Sequence, residues 1–267
     1  MTGCALGSGP LNPAVAPGCN FDLSLWSLQE PIGAVDNPDV ILPAQLEGSN
    51  GYQDAYFYTD TTTGAMDFFD PSTNCVTTGH SNYCRSELRE MTASGDDANW
   101  PVSGTNTLSA TLAVTQVPDH VCVGQIHVGT GTPVTTKPLL ELFYFGSADD
   151  APGGVGGTTP VPGEIVIGIE GSTNGGFSVE KPVAAVPLGT KWSYVIGLTG
   201  TGANAVISLS INGGTPLTWP IPGGSAADGF SQEGMYFKAG DYDQTEVGTA
   251  SAGAKVSFYS LSIYHGP

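Results

Sequence analysis

Short runs that are either apolar or alternate apolar with polar residues recur along this chain, and each is cut off by glycine or proline. An extended strand points successive side chains to opposite faces, so such runs suit strands, and Gly and Pro between them suit turns. Gly (38) and Pro (20) make up over a fifth of the 267 residues, which leaves little room for long helices. No window carries the periodicity of a three-turn helix; single helical turns are expected at Gln232-Glu233-Gly234 and after Pro31. The expectation is an all-β sandwich or barrel, and a chain of this length buries roughly 75% of its unfolded surface in one core. Strands are predicted around 22–28, 52–59, 65–70, 83–91, 106–117, 120–129, 138–146, 164–170, 191–199, 204–211, 235–243 and 254–264. Asn212-Gly213-Gly214 reads as a hairpin turn. Residues 1–19 read as a Gly/Pro-rich extension and 20–267 as one domain. The structureless stretch 146–163 is either a lid over a groove or a solvated insertion.

Three segments concentrate polar groups two residues apart: Arg85-Ser86-Glu87-Leu88-Arg89, Gln125-Ile126-His127, and Tyr236-Phe237-Lys238-Ala239-Gly240-Asp241-Tyr242-Asp243-Gln244. Alternation puts Arg85, Glu87 and Arg89 on one face, as it does Gln125 and His127, and Tyr236, Lys238, Tyr242 and Gln244. Leu88, Ile126, Phe237 and Ala239 point the other way, to a core. Ser86, Asp241 and Asp243 break that pattern.

The formal net charge of −18 disfavours nucleic acid and acidic membrane surfaces as partners. Only seven residues are basic, and Arg85, Arg89 and Lys238 fall in the three segments, as a site for an anionic ligand would require. No apolar run is long enough to cross a membrane. Cys4 is near Cys19 and Cys75 near Cys84, among turn-forming residues, so two disulfides of a secreted, extracellular protein are expected. By parity Cys122 opposes Gln125 and His127, which predicts a buried free thiol on the core side. The start Met-Thr-Gly-Cys carries no signal peptide and fits a mature form. The histidines, at 80, 120, 127 and 265, include no closely spaced pair, so no metal and no cofactor are expected. A structural calcium at Asp149, Asp150 or Asp241 is left open.

In this order the three segments resemble the signature of the alginate lyases of polysaccharide lyase family 7: Arg-(Ser/Thr)-Glu-(Leu/Val)-Arg, Gln-(Ile/Val)-His and Tyr-Phe-Lys-Ala-Gly-x-Tyr-x-Gln. The run from Asn20 to Pro31 is similar to the family's first strand, so the resemblance covers residue 20 to the C-terminus. It implies a jelly-roll β-sandwich of two antiparallel sheets whose concave sheet forms the substrate groove. Three departures stand out. Cys84 replaces a common Pro, Asp243 replaces Asn, and Asp241 replaces an apolar residue; the two aspartates are expected to add negative charge beside Tyr242.

The resemblance implies β-elimination on alginate, a monomeric enzyme needing no cofactor, and unsaturated oligouronate products. The C5 proton of a uronate is weakly acidic while its carboxylate keeps its charge, so the site must neutralise that carboxylate and the dianion that develops. Arg85 and Gln125 are the expected neutralisers, since guanidinium is permanently charged and grips a carboxylate by two bonds. His127 is a third donor or the base for one epimer. Tyr242 is base and acid, or acid alone where His127 is the base, with Arg85 and Lys238 placed to lower its pKa. Arg89, Lys238, Gln244 and Tyr236 are expected to bind substrate, and Glu87 to orient the two arginines flanking it. Ile126 goes with guluronate activity in the family, so endo action on guluronate or mixed blocks is expected. The alternatives are a glucuronan-type uronate lyase, a carbohydrate-binding sandwich without turnover, and a jelly-roll glycoside hydrolase. Alone, Arg85, Glu87 and Arg89 would read as a surface ion-pair ladder.

Overall fold

The computed structural model describes residue 4 and residues 9–79, 81–129, 137–148, 151–152, 154–245 and 252–267. His80, Asp149, Asp150 and part of the 146–163 stretch lie outside these described residues. In chain order the strands are β1 (Trp26–Ala34), β2 (Asn37–Ile41), β3 (Phe57–Thr59), β4 (Met66–Asp70), β5 (Arg85–Glu90), β6 (Trp100–Pro101), β7 (Thr105–Gln116), β8 (His120–Val128), β9 (Pro138–Phe145), β10 (Glu164–Glu170), β11 (Phe177–Ala185), β12 (Trp192–Thr199), β13 (Val206–Ile211), β14 (Leu217–Pro220), β15 (Gly234–Asp243) and β16 (Ala254–Gly266). They form two antiparallel sheets. One runs β11-β10-β9-β8-β15-β5-β1-β2 with β6 beside β15, and the other runs β14-β13-β12-β7-β16-β4-β3.

The inner faces meet in an apolar core. Leu28, Leu88, Ile126, Phe237 and Ala239 from the first sheet are fully buried, together with Leu108, Leu112, Ile196 and Phe258 from the second. Tyr194 spans the gap, its hydroxyl donating to the Val123 carbonyl at 2.9 Å. Gly124 lies under that ring, and a Cβ there would sit 2.6 Å from the Tyr194 oxygen.

Strands missed in the sequence sit at the margins. β2 and β11 are the two outermost strands of the first sheet, and β6 is a two-residue appendage. An edge strand has one neighbour and buries little, so its sequence need not alternate; β11 is mostly exposed and breaks its alternation at Glu180-Lys181-Pro182. The stretch after Pro31 is no helical turn, because β1 continues to Ala34 and pairs with Asn37 across Val35-Asp36, Asp36 taking φ 59. Helical turns occur instead at Pro17–Asn20 and Pro43–Leu46, where proline at the first position has its φ preset for a helix. The turn expected at 232–234 forms at Phe230–Gln232. Asn212 (φ 51) and Gly213 (φ 68) make the hairpin between β13 and β14. Cys4–Cys19 and Cys75–Cys84 are disulfides.

Candidate active site

The outer face of the first sheet carries the polar segments. β15 lies between β5 and β8, so Lys238 is level with Arg89 on one side and Gln125 on the other, Tyr236 with His127, and Tyr242 with Arg85. Paired residues on one face of a sheet have Cβ atoms about 4.5–5.5 Å apart. Arg85, Gln125, His127, Tyr236, Lys238, Tyr242 and Gln244 therefore line one cavity of about 510 Å³. Arg89 is at its rim, with its guanidinium 4.1 Å from the Tyr236 ring centroid.

Glu87 is the buried hub beneath this cavity. It is 0% exposed, pairs with Arg85 at 3.2 Å and with Lys238, and accepts from the Gln125 amide at 2.5 Å. Burial alone would raise its pKa, but Lys238, Arg85 and the Gln125 amide outweigh that and hold Glu87 ionised. It does not orient both flanking arginines as expected. Arg89 turns outward to Asp97 at 2.6 Å, and Lys238, from the neighbouring strand, takes its place. Burial and the nearby Arg85 lower Lys238 to about 8 against the pull of Glu87.

Two groups face the cavity in neutral form. Burial, then the positive charges of Lys238 and Arg85, push His127 down to about 3. Its Nδ1 lies 3.0 Å from the Val128 carbonyl, which can only accept, so Nδ1 carries the proton and Nε2 keeps the lone pair. The Tyr242 ring lies under Arg85, 3.6 Å from guanidinium to centroid, and its hydroxyl is 3.3 Å from Ser81 Oγ. Contrary to the expectation of a lowered phenol, burial outweighs Arg85 and raises Tyr242. A phenol and a neutral imidazole beside a guanidinium and an amide can supply an acid, a base and an oxyanion clamp.

A family profile described as alginate lyase matches residues 21–265. The chain belongs to the alginate lyase family. It is similar to the alginate lyase of Klebsiella pneumoniae, 28% identical over 97% of this chain and 94% of that protein. Among solved structures it resembles the family 7 alginate lyase A1-II', at 32% identity over 95% of this chain and all of that one, with a TM-score of 0.77. It also resembles the alginate lyase PA1167 of Pseudomonas aeruginosa, at 30% identity over 92% and 100% of the two chains, with a TM-score of 0.75. The sandwich is thus the jelly roll of polysaccharide lyase family 7, and the chain is a polysaccharide lyase that cleaves alginate.

Within this lyase two expectations need correcting. Asp241 and Asp243 do not add charge beside Tyr242, because they point to the opposite face and are buried with Asp70. Burial and mutual repulsion raise Asp70 to about 8 and Asp241 well above the ordinary range, so the proton is retained; Asp243, also raised, accepts from Ser72. The calcium position considered at Asp241 is thus a protonated core carboxyl, while Asp149 and Asp150 lie outside the described residues. Cys122 is buried and free, yet it lies on the cavity side. A bulge between Cys122 and Gly124 turns both Val123 and Gly124 inward and places Cys122 with Phe143, Phe145, Val166 and Tyr242. The cavity's cations are matched by carboxylates, Arg85 and Lys238 by Glu87 and Lys137 by Glu170 at 3.3 Å.

Ser81, Gln29, Lys137, Glu141 and Glu170 also line the cavity and were not singled out in the sequence. Glu141 had a readable signal, a lone carboxyl inside Pro-Leu-Leu-Glu-Leu-Phe-Tyr-Phe. Asp70 and the sulfurs of Cys75 and Cys84 lie within 4.8 Å of one another, but disulfide sulfurs are not thiolate ligands.

Proposed function

We propose that this lyase is endo-acting on guluronate-containing alginate, with His127 as base toward C5 and Tyr242 as acid toward O4. Arg85 and the second Gln125 N–H, the first being held by Glu87, take the uronate carboxylate and stabilise the dianion. The observation that carries this reading is the pair of protonation states. His127 is neutral with Nε2 open, and Tyr242 keeps its proton. An imidazole near 3 is a weak base in the empty cavity. A bound carboxylate offsets Arg85 and Lys238 and restores its basicity as substrate arrives. Complexes of A1-II' variants with the product GGG and the substrate GGMG support guluronate blocks. Lys238, Gln244, Tyr236 and Arg89 serve binding, and Glu87 positions Arg85, Lys238 and Gln125. Two disulfides support an oxidising, extracellular setting, and a cavity assembled within one chain supports a working monomer.

Initial rates on homopolymeric guluronate and mannuronate, read as ultraviolet absorbance of unsaturated uronate, test the assignment. Guluronate should be faster, with long fragments released first. Faster turnover of mannuronate, or single sugars as the first product, would overturn it. Tyr242→Phe should lose elimination by more than about a hundredfold while keeping oligosaccharide affinity within a few-fold.

A further inference from the structure

Glu141 on β9 is level with Gln125 of β8 on one side and Gly168 of β10 on the other. Its side chain therefore enters the cavity one strand beyond Gln125, about 4.8 Å farther from Arg85. Among the described residues its carboxyl has no hydrogen-bond or ion-pair partner. Each other carboxylate around the cavity has one: Glu87 holds Arg85 and Lys238, and Glu170 holds Lys137. With every group ionised, Arg85, Lys238 and Lys137 are balanced by Glu87, Glu170 and Glu141. The cavity would then offer no net attraction to a chain bearing one carboxylate per sugar. An unpaired carboxylate facing that chain would repel it. A proton on Glu141 changes both facts, because it leaves the cavity net positive and creates an O–H donor aimed at the ligand.

We propose that Glu141 binds the polyuronate as the neutral acid, donating its O–H to the carboxylate of a sugar next to the one being cleaved, so that substrate binding takes up a proton. The inference rests on the reading of this cavity as the uronate site and names a specificity residue for it. The groups facing Glu141 fit. From β5 come Glu87, which disfavours its ionisation, and Arg85, which favours it; from β15 come Lys238 and Tyr242, from β8 His127 and Cys122, from β10 Glu170, and from just before β9 Lys137. Burial and the Glu87 charge dominate and hold Glu141 near about 7, so the proton is available at neutral pH.

The test uses the full chain carrying Tyr242→Phe, so that a guluronate tetrasaccharide binds without turnover. Calorimetry at pH 7 in buffers of different ionisation enthalpy counts the protons taken up. About half a proton per ligand is expected from Glu141; Lys238, near 8, can supply only about a tenth there, and His127, even restored to its ordinary value by the substrate, only about a quarter. Affinity should fall about fivefold from Glu141 alone between pH 7 and 8. Adding Glu141→Gln should remove the half proton and leave only the roughly twofold fall due to Lys238. Should that variant fail to fold, Glu141→Met must likewise remove the uptake. Uptake near half a proton that survives either substitution overturns the inference, as does tight binding without uptake in the parent. Absence of binding by any oligouronate overturns it together with the reading of the cavity; binding with no uptake overturns it alone.

Discussion

Replacing Glu87 by Gln strikes the point on which the site's charges converge. Glu87 is 0% exposed and holds Arg85 at 3.2 Å, Lys238, and the Gln125 amide at 2.5 Å. Without its charge, two cations face each other across adjacent strands with nothing between them. Breaking a buried ion pair from one side costs about 3–5 kcal/mol, because the surviving charge stays desolvated. One kcal/mol moves the melting temperature of a chain this size by roughly 2–4 °C, so Glu87→Gln should melt roughly 6–20 °C lower. Lys238, already lowered to about 8, loses the attraction that keeps it protonated and should be largely neutral at pH 7. Alginate affinity should fall with it. A second substitution, Lys238→Met, removes the buried amine left without its carboxylate and should recover stability in the Glu87→Gln background, a coupling of about 1–3 kcal/mol. Calorimetric melting of the parent, both single variants and the double variant measures this directly. A single variant melting within about 2 °C of the parent, or a double variant whose losses simply add, would refute the account of Glu87 as hub.

Among the described residues both Glu30 oxygens are buried without a partner, and burial with Asp54 and Asp39 raises the group to about 8. The folded protein holds this proton more tightly than the unfolded chain, so stability is full below about pH 4.5 and declines as pH climbs to 8. Glu30→Gln should flatten that decline in urea midpoints and gain on the order of 4 kcal/mol at pH 9. Cys75–Cys84 closes the loop carrying Ser81, the hydrogen-bond partner of the Tyr242 hydroxyl. Replacing both cysteines by serine should cost about 2–3 kcal/mol by chemical denaturation and lower kcat more than KM. Gly240 (φ +152) packs on β5, where a Cβ would lie 2.7 Å from Glu87 Cα and from the Ser86 carbonyl oxygen. Gly240→Ala should lower stability by about 1–3 kcal/mol and slow elimination by displacing Tyr242 from Arg85, read by melting and by rate.

Much of this protein is set by neighbours in sequence. The period-two spacing placed Arg85 with Glu87, Gln125 with His127, and Tyr236 with Lys238 and Tyr242, and all point to one side of one sheet. The paired cysteines were readable because each bridge closes a short loop, of 15 and 9 residues separation. Parity propagates only while pairing is regular. The bulge at Cys122-Val123-Gly124 reverses it within three residues, so the thiol ended under Tyr242 on the cavity side. Outermost β2 and β11 escaped because a strand with one neighbour is under weak pressure to alternate.

Charge states belonged wholly to the folded molecule. Glu87 lies two residues from Arg89 yet pairs with Lys238, which is distant in sequence and adjacent only because β15 lies against β5. Asp241 and Glu141 show in the chain only as carboxyls where apolar residues are expected; burial among other carboxylates makes one a proton-holding core group and the other a near-neutral donor in the groove. Where strand pairing is regular the sequence determined which chemical groups share a face, because that depends on local backbone geometry. Tertiary structure decided which of them carry charge, because desolvation and Coulomb energy depend on distances between strands far apart in the chain.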